Sequence, residues 1–245
     1  MKIDTVGIIG GGEFAEKFKE LLGKASLKVF MADLREDYIE QVAEADLVVE
    51  VGPEDIDLKK KVFEICDTKC RKGAILATTT ANAWITQLAK ITKRPEQVIG
   101  LNFTKNPFEE KYLVQVVRGL QTSDETVQTM RELLVNVGVA VVKLEENPGF
   151  LLDRVIASIV NEAAVMYSSK LATKEDIDNM MKVCVNWPMG PFEFADNMGV
   201  DRVVEILESM SQQLGPKYQP CFLLKKMVDA GWLGKKVGRG FYIYS

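Results

Sequence analysis

Histidine is absent from all 245 residues of the chain. Imidazole is the side-chain base whose ordinary pKa lies nearest neutral pH, so this chain alone can supply no histidine-based acid–base chemistry. Cysteine is scarce as well, and its four residues are too few for a disulfide scaffold. These shortages exclude a histidine-based active site and a disulfide-rich secreted domain, and we expect a reducing, cytoplasmic setting.

Long apolar runs and an excess of positive charge are also missing. No stretch approaches the roughly 18 apolar residues of a membrane span, and the N-terminal run Val6–Ile9 is too short for a secretion signal. The 31 lysines and arginines are outnumbered by 35 aspartates and glutamates, which gives a net charge of −4. Because phosphate backbones bind to basic surfaces, we expect no nucleic acid as a partner. Because no apolar stretch is long enough to span a membrane, we expect no membrane as a partner.

The first half of the chain alternates short apolar runs with segments of helical spacing. The runs are Val6–Ile9, Leu27–Ala32, Leu47–Val51, Ala74–Ala77, Val98–Phe103, Leu113–Val117 and Val139–Leu144. The helical segments between them include Phe14–Leu22, Asp57–Cys70 and Thr126–Val137. Strands that are apolar throughout and are separated by helices predict a largely parallel sheet with helices on both faces.

The second half is helical in pattern. Helical spacing extends from Phe150 to Ala230 and includes a sequence typical of a helix start at Thr173–Asp176. The Pro/Gly-containing segment Glu146–Gly149 is the natural boundary. We therefore predict an α/β domain over residues 1–146, followed by an all-helical domain over residues 147–245.

A glycine-rich turn follows the first apolar run. Residues Val6–Ala15 read as a strand, a tight turn and a helix, with the spacing G-x-G-x-x-A. In this pattern Gly10 makes the turn, Gly12 admits a phosphate to the backbone, and Ala15 lets the helix pack closely. A pyrophosphate would accept hydrogen bonds from the first amides of the helix. The turn therefore predicts a dinucleotide site.

Asp33 ends the second apolar run, about 20 residues after the turn, where a carboxylate binds both ribose hydroxyls of a dinucleotide. This acid would repel a 2′-phosphate and favours NAD over NADP, while Arg35 leaves NADP open. Glu13 and Phe14 begin the helix and are predicted to border the cofactor, with the Glu13 carboxylate turned away from the phosphates. The alternative is that Gly10–Gly12 is only a strand–helix turn and that Asp33 is a solvated strand end.

Motifs of a single family are spread along both halves of the chain: Ala45–Glu50, Pro53-Glu54, Leu58–Phe63, Arg94–Gly100, Asn147–Phe150, Glu175–Asp178, Pro188–Glu193 and Leu233–Tyr242. Together they resemble the 3-hydroxyacyl-CoA dehydrogenases over nearly the whole chain. The resemblance implies a Rossmann-type, doubly wound NAD domain, a helical dimerisation domain and an acyl-CoA cleft between them. It also implies NAD-dependent oxidation of a 3-hydroxyacyl-CoA in fatty acid metabolism.

The resemblance further implies contacts with NAD at Gly10, Gly12, Asp33, Glu54, Lys59, Asn106 and Lys236. Other interpretations stay open for three of these residues. Lys59 and Lys236 could be solvated surface charges, and Glu54 could be an acid that the dipole of a following helix favours.

The catalytic positions depart from the family. Its members resemble one another in a His–Glu pair, in which the histidine takes the proton of the 3-hydroxyl as hydride leaves for nicotinamide. Here Asn102 stands at the histidine position and Gln115 at the glutamate position, while Ala81 and Asp153 replace a serine and an asparagine. An amide can hydrogen-bond a substrate oxygen but cannot act as a base near neutral pH. We expect weak or altered hydride transfer, or a catalytically inactive NAD- and acyl-CoA-binding subunit beside an active paralogue.

Lys105 is the candidate for a replacement acid or base. It arises from one extra residue in the predicted loop Asn102–Pro107, and burial lowers the pKa of an ammonium group toward neutrality. The alternative is a solvated loop lysine. Cys66 and Cys70 lack metal-binding spacing, so we expect no metal site.

The segment Leu34–Ala45 is much shorter than its counterpart in the family, which forms a long helical hairpin close to the CoA tail. The segment has room for one short helix, so we expect part of the CoA-binding surface that the resemblance implies to be missing.

Overall fold

The computed structural model forms two compact units, Met1–Asn147 and Pro148–Ser245. It describes residues 1–33, 39–80, 84–105 and 112–244, with only the backbone at 105 and 112. Ala81, Asn106 and Arg35 therefore lie outside the described residues, as does the side chain of Lys105. No helix in these described ranges is long and apolar enough to cross a membrane.

The first unit contains a seven-stranded sheet in the order β2-β1-β3-β4-β5-β6-β7 among the described residues. The strands are β1 (Thr5–Ile9), β2 (Lys28–Ala32), β3 (Leu47–Glu50), β4 (Ile75–Thr79), β5 (Val98–Lys105), β6 (Tyr112–Arg118) and β7 (Ala140–Glu145). Neighbouring strands are parallel except β5 and β6. The predicted Rossmann-type α/β sheet is confirmed.

Helices connect several of these strands, and each helix carries buried side chains. They are α1 (Glu13–Gly23), α2 (Ile56–Lys69), α3 (Ile85–Lys90) and α4 (Asp124–Asn136). On α1, Ala15, Phe18 and Leu22 are buried at the i, i+3 and i+7 positions of one face. Each large apolar side chain that is fully buried in this way contributes about 1.5–3 kcal/mol.

The strand order reverses between β1 and β3. The chain adds β2 on one side of β1 and then β3 on the other. The carboxyl ends of β1 to β5 lie at one edge of the sheet, because these strands are parallel. Ligands of doubly wound folds bind at such a reversal, outside the carboxyl ends of the strands.

One connection differs from the sequence-based expectation, and a second agrees with it. The predicted loop Asn102–Pro107 begins as strand, because antiparallel pairing with β6 continues as far as Lys105 opposite Tyr112. Between β2 and β3, the described part of Leu34–Ala45 contains a short 3-10 helix, Glu40–Val42.

The second unit is helical, as predicted. Its helices in the described residues are α5 (Leu152–Ser168), α6 (Lys174–Cys184), α7 (Pro191–Met198), α8 (Val200–Leu214) and α9 (Phe222–Asp229). Thr173 caps α6 at the predicted start, where its hydroxyl accepts a hydrogen bond from the Asp176 amide at 3.1 Å. Buried Asp178 and Asp196 accept backbone and tyrosine hydrogen bonds that fasten the C-terminal segment of this unit.

Candidate functional site

Gly10 makes the turn at the end of β1. Its φ is +120°, and its amide donates to the Ala32 carbonyl at 2.9 Å. A Cβ at this position would lie 2.9 Å from Val51 Cγ2 and 3.2 Å from the Val51 carbonyl carbon. Any side chain here would therefore collide with the end of β3, which explains the glycine.

Gly12 is constrained for a different reason. Its φ is +95°, yet a Cβ would meet no atom within 4 Å, so the position faces open space. Helix α1 begins at the next residue, and no side chain at Gly12 caps it. The first amides of a helix need acceptors from outside it. Open space at Gly12, the residue directly before these donors, fits the pyrophosphate of a dinucleotide.

Glu13 and Asp33 lie on either side of this turn. The side chain of Glu13 is 82% exposed and forms an ion pair with Lys17, one helical turn further on. Asp33 is exposed and directly follows β2, whose last residue, Ala32, pairs with Ile9 of β1. The sheet register thus places the carboxylate-bearing residue next to the glycine turn.

A cavity of about 210 Å³ opens at the same edge of the sheet. Its lining residues are Phe14, Gly52, Glu54, Thr79, Thr80, Leu101, Asn102 and Phe103. It brings together three sequence-predicted site residues, namely Phe14, Glu54 and Asn102. Thr80 and Phe103 were not predicted as site residues. The run Thr78–Thr80 at the end of an apolar strand could have indicated Thr80, because it places polar side chains at the edge of the sheet.

Aromatic rings form one wall of this cavity. Phe14 meets Phe103 edge to face, with ring centroids 4.8 Å apart, and Phe18 meets Phe103 similarly at 5.1 Å. Such pairs contribute about 0.5–1.5 kcal/mol beyond their area burial. The wall therefore connects the start of α1 to β5, which carries Asn102.

Asn102 and Gln115 are direct cross-strand partners on β5 and β6. Gln115 Nε2 donates to Asn102 Oδ1 at 2.7 Å and to Thr104 Oγ1 at 3.2 Å, while the Thr104 hydroxyl donates to Asn102 Oδ1 at 3.2 Å. All three side chains are neutral. Where the family resemblance implies a His–Glu pair, this chain has a hydrogen-bonded pair of amides.

Thr80 connects Asn102 to Glu54. Its hydroxyl donates to Glu54 Oε2 at 3.0 Å, and its carbonyl accepts from Asn102 Nδ2 at 3.1 Å. Helix α2 is capped by Asp55, whose carboxylate accepts from the Asp57 and Leu58 amides. Glu54 is thus directed toward the cavity, whereas the neighbouring Asp55 serves the helix.

Lys59 is enclosed beneath this cavity. Its side chain is 0% exposed and donates to Glu50 Oε2 at 2.8 Å and to the Thr79 carbonyl at 2.9 Å. The Thr78 hydroxyl donates to the same Glu50 oxygen at 2.6 Å. The alternative that Lys59 is a solvated surface charge is wrong, because its ammonium is paired with a buried carboxylate. Its contact with NAD stays a prediction.

Two predicted site residues lie in the helical unit. Asp153 is in the first turn of α5, where burial raises the pKa of its carboxyl and nearby Arg202 offsets part of that effect. Lys236 is half exposed and pairs with Asp201 at 2.5 Å. Within the described parts of the chain, no cluster of three or more possible ligands could hold a metal ion.

Both halves of the chain match family models. The model for the NAD binding domain of 3-hydroxyacyl-CoA dehydrogenase covers residues 35–147, and the model for the C-terminal domain covers residues 149–244. The chain is 40% identical over 207 residues to 3-hydroxybutyryl-CoA dehydrogenase of Clostridioides difficile, which is 84% of this chain and 73% of that one. It is 36% identical over 227 residues to its namesake from Bradyrhizobium diazoefficiens, which is 92% of this chain and 77% of that one.

Solved structures agree with the family models. The crystal structure of (S)-3-hydroxybutyryl-CoA dehydrogenase from Ralstonia eutropha superposes with a TM-score of 0.93 at 31% identity, and covers 100% of both chains. The chain is therefore a member of the 3-hydroxyacyl-CoA dehydrogenase family, and NAD is its cofactor.

Proposed function

We propose that this protein is an NAD-dependent oxidoreductase acting on a 3-hydroxyacyl-CoA or a related 3-hydroxy acid, with weakened or altered hydride transfer. When bound, NAD supplies the hydride acceptor. The names of the relatives from Clostridioides difficile and Bradyrhizobium diazoefficiens support the substrate class. The cytoplasmic setting and the role in fatty acid metabolism stay predictions.

The Asn102–Gln115 amide pair is the observation on which this function rests. At 2.7 Å the two amides hold each other in place, so Asn102 can orient a substrate oxygen but cannot remove its proton. General acid–base catalysis typically contributes 10²–10⁴-fold to a rate. Losing it predicts a slow enzyme rather than an inert one.

The residues around the glycine turn are proposed to hold NAD. Gly10 and Gly12 leave room for the phosphates, and the Asp33 carboxylate is suited to the ribose hydroxyls. The same proposal extends to Glu13, Phe14, Glu54, Lys59, Asn106 and Lys236. For Lys59 the structure supports an indirect role, since its ammonium fixes the Thr79 carbonyl below the cavity.

A second candidate is a catalytically inactive subunit that binds NAD and acyl-CoA beside an active paralogue. The hydrogen bonding of Asn102 favours it. Its Oδ1 accepts from both Gln115 and Thr104, and its Nδ2 donates to the Thr80 carbonyl. Much of the hydrogen-bonding capacity of this amide is therefore used within the protein.

Calorimetric titration with NADH, followed by an NADH-oxidation assay with acetoacetyl-CoA, tests the proposed function. We expect NADH to bind and turnover to lie about 10²–10⁴-fold below that of a histidine-bearing relative. Binding with no turnover would favour the inactive subunit. Turnover as fast as the relative's, or no binding of NADH, would contradict both candidates.

The helical unit is proposed to mediate a homodimer. Large apolar side chains are exposed on α5, α6 and α9, including Val155, Val165, Met180, Val183 and Phe222. Val183 is 81% exposed and Phe222 is 74% exposed, and exposed apolar surface is typical of association surfaces. Sedimentation equilibrium should give the mass of two chains, and a monomer at micromolar concentration would contradict the dimer.

A further inference from the structure

We propose that Glu54, acting through the hydroxyl of Thr80, accepts the hydroxyl proton of the substrate in this chain. The inference rests on the proposed oxidoreductase function and names the group that does the work of the missing imidazole. Glu54 and Thr80 both belong to the described residues that line the cavity.

Glu54 is suited to this role by its chemistry and its place. Among the described residues that line the cavity, Glu54 alone has a titratable side chain. The Thr80 hydroxyl donates to its Oε2 at 3.0 Å. A hydroxyl that donates its own proton can accept another at the same time, because its oxygen has two lone pairs. The pair therefore offers a path from the cavity to a carboxylate.

Asn102 is placed to hold the substrate oxygen beside this path. One N–H of its amide donates to the Thr80 carbonyl at 3.1 Å, and an amide nitrogen carries a second N–H. That second donor lies on the same side chain that lines the cavity next to Thr80. A substrate hydroxyl held there would lie in the cavity that the Thr80 residue also lines.

The buried Glu50–Lys59 ion pair below the cavity positions both Glu54 and Thr80. Lys59 donates to the carbonyl of Thr79, the residue before Thr80, and to Glu50. Glu50 in turn accepts from the amide of Gly52, two residues before Glu54, at 2.5 Å. The two backbone segments that carry Glu54 and Thr80 are therefore held by one ion pair.

The step balances as an alcohol oxidation. The C3–H bond of the substrate breaks and its electron pair leaves as hydride to NAD⁺, which is reduced to NADH. The hydroxyl proton passes to the Thr80 oxygen while the Thr80 proton passes to Glu54, and a C=O bond forms. Glu54 is left as a neutral carboxyl and returns its proton to water, since it is exposed. A carboxylate is ordinarily a weaker base than imidazole, which agrees with a slow reaction.

Substitutions that remove each part of the path form the kinetic test. We expect Thr80→Val and Glu54→Gln to lower the rate of 3-hydroxybutyryl-CoA oxidation at least 10-fold, and Thr80→Ser to restore it. Calorimetry should give an unchanged NADH affinity for Thr80→Val. The matched control is Thr122→Val, which removes another buried hydroxyl, one that donates to the Val98 carbonyl, and should leave the rate unchanged.

Proton uptake provides a readout that is independent of turnover. A ketone oxygen only accepts hydrogen bonds, so Thr80 must turn its single proton from Glu54 to the ketone, and a protonated Glu54 can then donate to the Thr80 oxygen in its place. We expect formation of the NADH–acetoacetyl-CoA complex to take up a proton, as measured by calorimetry in two buffers of different ionisation enthalpy. Glu54→Gln should abolish this uptake.

The outcomes separate the two proposals. Unchanged rates and proton uptake in Thr80→Val and Glu54→Gln would overturn the Glu54 path and leave the oxidoreductase standing. Loss of the rate in Lys105→Ala alone would also overturn the path in favour of the lysine. A wild-type protein that binds both ligands without turnover would overturn the oxidoreductase, and proton uptake would then decide whether Glu54 and Thr80 engage the ketone.

Discussion

Changing Asn102 to histidine and Gln115 to glutamate together should raise the oxidation of 3-hydroxybutyryl-CoA by about 10²–10⁴-fold. The two positions face each other across β5 and β6, and their side chains already meet at 2.7 Å. An imidazole and a carboxylate placed there would therefore form the hydrogen-bonded pair that the family resemblance implies. Steady-state rates with NAD⁺ at saturating substrate measure the gain.

The two single variants control for this result. Asn102→His without its carboxylate should give a smaller gain, because nothing then orients the ring or stabilises its charged form. Gln115→Glu alone places a carboxylate where the side chain is 2% exposed, and an unpaired buried charge costs about 3–5 kcal/mol of stability. Denaturant unfolding should show that cost, and the double variant should recover part of it.

No gain in the double variant would count against a 3-hydroxyacyl-CoA substrate. The remaining departures from the family, at Ala81, at Asp153 and in the short segment Leu34–Ala45, would then have changed the substrate site itself. A gain that no longer depends on Glu54 would show that the restored imidazole has replaced the carboxylate path.

Gly12→Ala should weaken NADH binding by at least about 100-fold, which corresponds to about 2.7 kcal/mol. The new Cβ would enter the open space in front of the first amides of α1, where the phosphates are expected. Fluorescence or calorimetric titration with NADH gives the dissociation constant.

Gly138→Ala is the control for a side chain placed at a positive φ. Gly138 has φ +83° against +95° for Gly12, and a Cβ at either position meets no atom within 4 Å. Both variants should lose stability, by about 1–3 kcal/mol, because both positions have a positive φ. Gly12 also has ψ 178°, in a region essentially restricted to glycine, so its loss should be at least as large as that of Gly138. Only Gly138→Ala should keep its NADH affinity and its stabilisation by NADH, about 2.7 kcal/mol at a hundred times the dissociation constant. Equal losses of affinity would mean that strain, rather than occupied space, explains the effect.

The periodic parts of this fold could be predicted from the sequence. Continuous apolar runs such as Leu47–Val51 identify buried parallel strands, and the glycine spacing identifies the turn before α1. The partnership of Asn102 with Gln115 could not be derived from periodicity, because it depends on the antiparallel register of β5 and β6. Only the family resemblance placed the two residues together.

Lys59 shows why the burial of a single residue cannot be predicted from composition. A lysine in a helix is usually solvated. Helical spacing places Lys59, unlike Lys60 and Lys61, on the same face as the buried Val62, Phe63 and Cys66, but that spacing does not identify a partner for its charge. Its burial depends on Glu50, an acid at the end of an otherwise apolar strand and close only in the folded chain. The threonines of β4 complete the same environment from a third segment.

The Glu50–Lys59 pair also limits how this protein can change by successive mutation. Loss of either partner leaves a lone charge in the interior, at a cost of about 3–5 kcal/mol, whereas exchanging both for apolar residues can be nearly neutral. The intermediate with one substitution would exhaust much of the 5–15 kcal/mol stability typical of a folded domain. Drift can therefore alter the polar groups that face the cavity one at a time, whereas the Glu50–Lys59 pair beneath them tolerates only a simultaneous exchange of both partners.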